Sequence, residues 1–414
     1  MPFPPLTKIR QSLTSERIDD IQGEVEHQFA QVAGVIQPGQ RVAIAVGSRG
    51  IANLTEIVKA TAVWVRSRSA QPLIVPAMGS HGGGTGPGQR DVLEGYGVTE
   101  AATGAPIVSD MSVVQLPAGD LPVKVYFDRN AHEADATIVI NRIKPHTDFT
   151  GTYESGLMKM LAIGLGKQRQ AEAIHLHGVP GLRQIMPGVA RQILAHANVV
   201  LGVAIVENGY EQTMRIEVVP AAQIPDREPA LLDLARRSMP ALPVDALDVL
   251  LVDQMGKNIS GTGLDTNIIG RKMIRGEPEF DRPKIKTLIV SDLTEPSHGN
   301  ACGIGLADIC TRRLFDKIDF NATYANVKTS TFLERGKIPI VAEHDREAVE
   351  FALDTLDPIH GQEIRMARIR STLHLSEMYV TSAVLRQMKD DPNVEVTASP
   401  ITPFENSNEL FPFG

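Results

Sequence analysis

The residues able to do chemistry concentrate between Asn141 and Gly178. An apolar run, Ala136 to Ile140, reads as a buried strand that delivers a basic pair, Arg142 and Lys144, followed by Pro145-His146 and a polar loop of Thr, Asp, Tyr, Glu and Ser. Lys159 then sits inside an otherwise apolar segment, Leu157 to Leu165. A lysine among Met, Leu, Ala and Ile costs stability unless it is paired, neutral or covalently used. His175 and His177 close the stretch. On a strand these two would share a face and could share a metal, but two ligands do not complete a site; otherwise one is a helix-end histidine and the other is exposed. Upstream, Arg49 and His81 also follow apolar strands, His81 within the glycine-rich run Gly79 to Gly88. That loop could cradle a phosphate through backbone N–H groups, although it fits neither G-x-G-x-x-G nor the P-loop spacing. A lone loop histidine is usually just solvated. Two at equivalent strand ends are harder to dismiss.

The elements that must hold these residues alternate strand, loop and helix. Apolar positions Ile18, Ile21, Val25, Phe29 and Val32 have helical spacing, and Arg41 to Val46 is a β-branched run suited to a strand buried on both faces. Asn53 is placed to cap the helix that follows, with Glu56 three residues on. Strands are expected at 72–77, 122–128, 136–141, 198–206 and 214–219, with helices near 90–96 and 181–196. Such alternation argues an α/β domain whose ligands lie at the carboxyl ends of the strands, where Arg49, His81 and His146 all fall. Five prolines from Pro220 to Pro243 surround one short expected helix at 230–237. A second α/β series follows, with strands at 246–254, 284–292, 338–342, 364–370 and 393–398 and helices at 306–318 and 345–356. The fold class is therefore two α/β domains with largely parallel sheets and an active-site cleft between them. The division is 1–225 for an N-terminal cofactor-binding domain, 226–245 for a linker, and 246–414 for a C-terminal domain closing over the site.

Composition narrows the class. The 414 residues, 43% of them hydrophobic, allow two to three full cores. A net charge of −8 without a Lys/Arg block speaks against a nucleic-acid partner, and no apolar run approaches a membrane span. Two cysteines, Cys302 and Cys310, cannot make a disulfide framework, and the N-terminus lacks a signal-type apolar region. A cytoplasmic location is expected. Composition and spacing stop at an α/β enzyme with a His/Lys/Arg site that could include a metal.

Taken together, Arg49, Gly79-Ser80-His81, Pro145-His146, a glycine-then-lysine segment ending at Lys159, and His175 resemble the motif set of the nickel-pincer nucleotide-dependent lactate racemase family. The match covers most of the first ~200 residues, and the spacing of sixteen from Lys159 to His175 is that of the family's attachment lysine and metal-binding histidine. The resemblance implies a nickel-pincer nucleotide (a pyridinium-3,5-bisthiocarboxylic acid mononucleotide carrying Ni) held covalently at Lys159 and by nickel coordination to His175. It implies His81 and His146 as the two acid/bases of a 2-hydroxy-acid racemase or epimerase, one for each hand of the substrate. Arg49 would clamp the substrate carboxylate, and Gly82, Gly83, Gly84 and Thr85 would take the cofactor phosphate. Lys257, chosen on local chemistry in the second domain, is a further substrate contact. The partners implied are a small-molecule 2-hydroxy acid and cofactor-biosynthesis proteins; a homo-oligomer is compatible.

There are departures from the family pattern. Val46 stands where the family has an aspartate, Thr147 and Asp148 replace aromatic residues, and the gap from His146 to Lys159 is a few residues longer. A wall of Thr147, Asp148, Thr150, Thr152, Tyr153, Glu154 and Ser155 would suit a polyhydroxy sugar acid better than lactate. Two rival readings are a zinc-dependent hydrolase or lyase using the same histidines, and a non-catalytic binder of a sugar acid or phosphate.

Overall fold

The computed structural model describes residues 3–32, 34–47, 50–356, 363–404 and 407–413. The chain forms two compact units, Thr14–Met239 and a second made of Met1–Leu13 with Pro240–Gly414. The boundary between residues 239 and 240 falls inside the expected linker 226–245, and the difference lies at the N-terminal end. Strand β1 (Thr7–Gln11) leaves the N-terminal unit to pair with strands of the second sheet. The proline-rich stretch is not an extended linker, because Ile224–Ser238 is one helix containing Pro225 and Pro229. Pro225 lies in its first turn, where the missing N–H has no partner to lose.

In the N-terminal unit, β2 (Arg41–Val46), β3 (Gln71–Pro76), β6 (Ala136–Arg142), β7 (Val199–Glu207) and β8 (Thr213–Pro220) form one sheet in the order β3-β2-β6-β7-β8. A separate hairpin joins β4 (Val113–Leu116) to β5 (Val125–Asp128). The first four strands of the sheet run parallel and β8 returns antiparallel to β7. Val42 to Val46 and Ile138 to Ile140 are fully buried, as continuous β-branched runs between two covering layers must be. One layer is α1 (Ile21–Ala30) against α2 (Leu54–Ser67), locked by Phe29 stacked on Trp64 at 4.1 Å. On β7, Gly202 leaves room for Leu157 and Ile224, which a Cβ there would meet. Asn53 does not cap α2: it adopts a left-handed φ of 57°, and its side chain accepts from the Thr213 hydroxyl.

The second unit has an eight-stranded sheet ordered β12-β11-β10-β9-β13-β14-β1-β15. Its strands are β9 (Ala246–Met255), β10 (Lys284–Leu293), β11 (Ile309–Thr311), β12 (Ile340–Ala342), β13 (Met366–Ser371), β14 (His374–Val380) and β15 (Val394–Val396). The expected helix at 306–318 is instead β11 followed by a single turn, because Ile309-Cys310-Thr311 is buried between β10 and β12. Cys302 and Cys310 are buried free thiols. Phe411 and Phe413 dock edge-on against Tyr379, with Arg368 over both rings. Among the described residues no helix is long and apolar enough to cross a membrane.

Candidate active site

After β6 the chain loops out, returns at Gly156 and builds an arch. The arch is a single turn (Leu157–Lys159), a π-helical turn (Met160–Gly164), and a helix, Lys167–His175. Asn141 at the end of β6 donates to the Gly156 carbonyl at 2.9 Å, tying strand end to arch start. The orphan N–H groups of that first turn point at Glu228 of the 224–238 helix, whose Oε2 accepts from Met158 N at 2.8 Å. A carboxylate suits the positive end of a helix. Burial nevertheless pushes the Glu228 carboxyl up to about 7, against the lowering effect of its bonds to the Met158 and Leu157 N–H groups. Its Oε1 finds no partner among the described residues, and a Cβ at Gly156 would overlap it. A π-turn beside a buried carboxyl is a costly arrangement of the kind found at functional sites.

Lys159 projects from this arch onto His146, Nζ to Nε2 at 2.6 Å. The lysine is half-buried rather than fully buried, because its amine turns from the apolar neighbours in sequence to the imidazole. The other ring nitrogen, Nδ1, accepts from the Asp148 backbone N–H at 3.1 Å and lies 3.7 Å from the Asp148 carboxylate. The buried Phe149 ring lies 4.8 Å from the imidazole. The His146 backbone N–H donates to Glu154 Oε2 at 2.6 Å, and Glu154, itself buried, also accepts from Gly151 N and from Arg236. Glu154 and Tyr153 therefore face inward; the Tyr153 hydroxyl donates to the Pro225 carbonyl. Of the polar wall expected for a substrate, Thr147 and Asp148 remain beside the imidazole. His175, at the last turn of the arch, is held below its ordinary pKa by burial and then by the Lys159 charge, with Asp148 opposing. That shift favours the neutral imidazole, the form able to offer a lone pair. His177 is exposed, and residues two apart on a helix do not face each other, so the pair shares no metal face.

A second lysine, passed over in the sequence, organises the neighbouring loop. Lys167 is 1% exposed, with a left-handed φ of 54°. Its Nζ pairs with Asp128 at 2.9 Å, donates to the Pro76 carbonyl at 2.5 Å and reaches Gln89 Oε1 at 3.2 Å. Gln89 in turn donates to the carbonyls of Gly79 and His81. The signal was the Gly166-Lys167 step straight after the apolar run; a lysine there has nowhere to go but inward. The loop it steadies packs on the π-turn, where Gly79 N donates to Gly164 O at 3.3 Å. Gly82, Gly83 and Gly84 all have positive φ, a path that only glycine follows freely. Thr85 uses its hydroxyl to cap the next helix at Gly88 N.

His81 is exposed on this loop after β3, and His146 follows β6; β2 lies between the two strands. Arg49, which follows β2, lies outside the described residues. Lys257, in the other unit, donates to the Gly261 and Cys302 carbonyls at 2.8 and 3.2 Å, so its amine clips two loops together. No group of three or more His, Cys, Asp or Glu able to cage a metal occurs among the described residues. The structure thus brings His146, Lys159 and His175 together on one arch and loop, and sets His81 on the adjoining loop.

Two α/β units with largely parallel sheets, bearing this site at the carboxyl edge of the first sheet, define the class of fold. Residues 46–222, which span the site, match the model of a family described as a domain of unknown function (DUF362). Among solved structures, the chain resembles the lactate racemase apoprotein from Thermoanaerobacterium thermosaccharolyticum, with a TM-score of 0.52 and 12% identity over 88% of this chain and 94% of that one. It also resembles a structural-genomics protein from Thermotoga maritima, at a TM-score of 0.50 and 14% identity over 86% and 89%. At such identities the likeness is one of fold. A search of curated proteins finds no match.

Proposed function

We propose that the protein is a racemase or epimerase of a 2-hydroxy acid, using a nickel-pincer nucleotide attached at Lys159 and coordinated by His175. The observation that carries this reading is the Lys159–His146 contact of 2.6 Å on the arch that also holds His175, with its pKa lowered. The absence, among the described residues, of three His, Cys, Asp or Glu side chains gathered to cage a metal fits a metal that brings its other ligands with it. The same donor set is too poor for the zinc hydrolase alternative, which needs three or four protein ligands.

Held by Lys159 and His175, such a group would supply hydride-transfer chemistry at the substrate's 2-carbon. His146 and His81 take and return the hydroxyl proton, and histidine suits the task because its pKa lies near working pH. The loop of Gly82 to Gly84 and Thr85 is the proposed phosphate cradle, although the Gly84 and Thr85 N–H groups turn back to the His81 and Gly82 carbonyls and would have to exchange those bonds, and Arg49 clamps the substrate carboxylate. Thr147 and Asp148, beside His146, favour a hydroxyl-rich acid over lactate, since polar groups left unpaired penalise an apolar methyl. The test is the intact mass and nickel content of protein co-expressed with cofactor-synthesis enzymes. An adduct lost in Lys159→Ala, with nickel lost in His175→Ala and retained in His81→Ala, is the expected result. An adduct that persists in Lys159→Ala, or no nickel at all, rejects the reading.

A further inference from the structure

Asp148 meets the His146 ring at the nitrogen opposite Lys159, and it does so with two different groups. Its backbone N–H is 3.1 Å from Nδ1 and its carboxylate Oδ2 is 3.7 Å from the same atom. On the other side Nε2 is 2.6 Å from Lys159 Nζ. We propose that Lys159, His146 and Asp148 form a nucleophile, base and positioning carboxylate whose reaction is the acylation of Lys159 itself. The proposal rests on the reading of Lys159 as an attachment point and supplies the residues that make the bond.

A neutral imidazole carries one ring proton, so its two nitrogens cannot both accept. The Asp148 N–H favours the tautomer with the proton on Nε2. The Asp148 carboxylate favours the proton on Nδ1, and a side-chain shift of about 1 Å or less brings Oδ2 to hydrogen-bond distance. In that second tautomer Nε2 accepts an N–H of Lys159, and the fraction of the lysine that has lost its extra proton presents a lone pair to an electrophile. This is the mutual geometry of an activated nucleophile: nucleophile to base, base to orienting group. The ring is preorganised for it, with Phe149 beside its face and its backbone N–H held by Glu154, which Arg236 holds in turn.

The step balances without an oxidant or reductant. Nζ attacks the carbonyl or thiocarbonyl carbon of a donor activated as an acyl phosphate, acyl adenylate or thioester. The Nζ–C bond forms while the Nζ proton passes to His146 Nε2. The bond from carbon to the leaving group breaks with its electron pair, and the leaving group takes the proton back from Nε2. The product nitrogen is an amide or thioamide N–H with no basic lone pair. Loading therefore ends the lysine's own titration and returns His146 to its proposed role as an acid/base for the substrate.

The probes are acetyl phosphate and p-nitrophenyl acetate, applied to the full chain near neutral pH, with site-resolved peptide mass spectrometry. Lys59, exposed on α2, is the internal rate reference. Lys159 should acetylate at least about tenfold faster than Lys59, and His146→Gln should slow Lys159 by about 10²-fold while leaving Lys59 unchanged, the usual scale of a general base. Asp148→Asn should slow Lys159 and Asp148→Glu should restore most of the rate, which a packing role would not do. Unfolding of the N-terminal unit, followed through Trp64, shows whether each variant folds. If His146→Gln does not, the Lys159-to-Lys59 ratio in the unaltered chain and the Asp148 pair decide. Equal rates at Lys159 and Lys59, or a Lys159 rate indifferent to His146 and Asp148, overturn the proposal. Histidine-dependent acetylation in a chain that acquires no adduct from the cofactor-synthesis enzymes keeps the acylating set and removes the nickel-pincer reading. An adduct on a lysine whose acetylation ignores His146 does the reverse.

Discussion

Replacing Glu228 by glutamine should remove a pH dependence from the stability of the N-terminal unit. The Glu228 side chain is fully buried, and burial raises its carboxyl from 4.5 to about 7. Between those values the folded chain keeps the proton that the unfolded chain has released. Stability contributed by this group is thus complete below about 4.5 and is lost as pH rises towards 7. At about 1.4 kcal/mol per pH unit, the span from 4.5 to about 7 amounts to roughly 3 kcal/mol. Glutamine keeps a carbonyl oxygen to accept from Met158 N and cannot ionise. The variant should match the unaltered chain near pH 4.5 and become more stable than it by up to roughly 3 kcal/mol at pH 7 and above. The chain's single tryptophan, Trp64, stacks on Phe29 inside the same unit, so its fluorescence follows the unfolding of that unit. Urea titrations at several pH values give the difference between the two proteins directly, and groups common to both, such as Asp128 and Glu211, cancel. Two stability curves that run parallel across this window would falsify the assignment of Glu228 as a buried carboxyl that takes up a proton on folding.

Other outcomes follow from the same geometry. Lys167→Met strands the buried Asp128 carboxylate and should cost about 3–5 kcal/mol by Trp64 unfolding; a loss below about 1 kcal/mol would show the pair to be solvated. Gly156→Ala places a Cβ against the Glu228 carboxyl and should cost about 1–3 kcal/mol, and the penalty should shrink in the background of Glu228→Ala, which opens the space. Proton NMR of His175 should give a titration midpoint below the ordinary 6.5 that rises in Lys159→Met, because the lysine charge is one of the two causes holding it down; a midpoint at or above 6.5 contradicts that. Arg368→Ala removes the cation shared by Phe411 and Phe413 and leaves Asp253 without its bidentate partner, so limited proteolysis should cut within 407–413 sooner than in the unaltered chain.

Much of the framework could be read from the residues because burial on both faces writes itself into sequence. β2, β6, β7, β9 and β10 each carry an uninterrupted apolar stretch, and each lies within a residue or two of its expected bounds. What could not be read depends on partners distant in sequence. β11 looks like the start of a helix until β10 and β12 flank it. β1 pairs with β14, over three hundred and sixty residues away, and no local pattern announces that. In the site, Lys159 and His146 could be singled out by type and context, but not their 2.6 Å contact. Glu154 and Tyr153 read as a polar wall because sequence shows polarity and not direction; Arg236 and the Pro225 carbonyl draw both inward.

Three locally unfavourable features of the N-terminal unit lie near Lys159, although the unit also holds positive-φ residues at Asn53, Ser69 and Glu211 and a second π-turn at Gly181–Ile185. Within a dozen residues lie a π-turn, a lysine at positive φ buried beside an aspartate, and a glycine pressed against a carboxyl oxygen that has no partner among the described residues. Each is unfavourable by itself, and a sequence selected for stability alone would relax them, since most have simple cures such as a glutamine at 228. They share one consequence: they fix the arch so that Lys159 Nζ points at His146 while His175 is held below its ordinary pKa at the other end. Local conflict retained beside the proposed nucleophile motivates the hypothesis of use. By that argument the stabilising change Glu228→Gln, which keeps the cap and removes the ionisation, should leave Lys159 acetylation near neutral pH intact. Glu228→Ala, which removes the cap, should slow it together with His146-dependent chemistry. If both variants acetylate Lys159 as the unaltered chain does, the arch is held by packing alone, and the clustered strain says nothing about function.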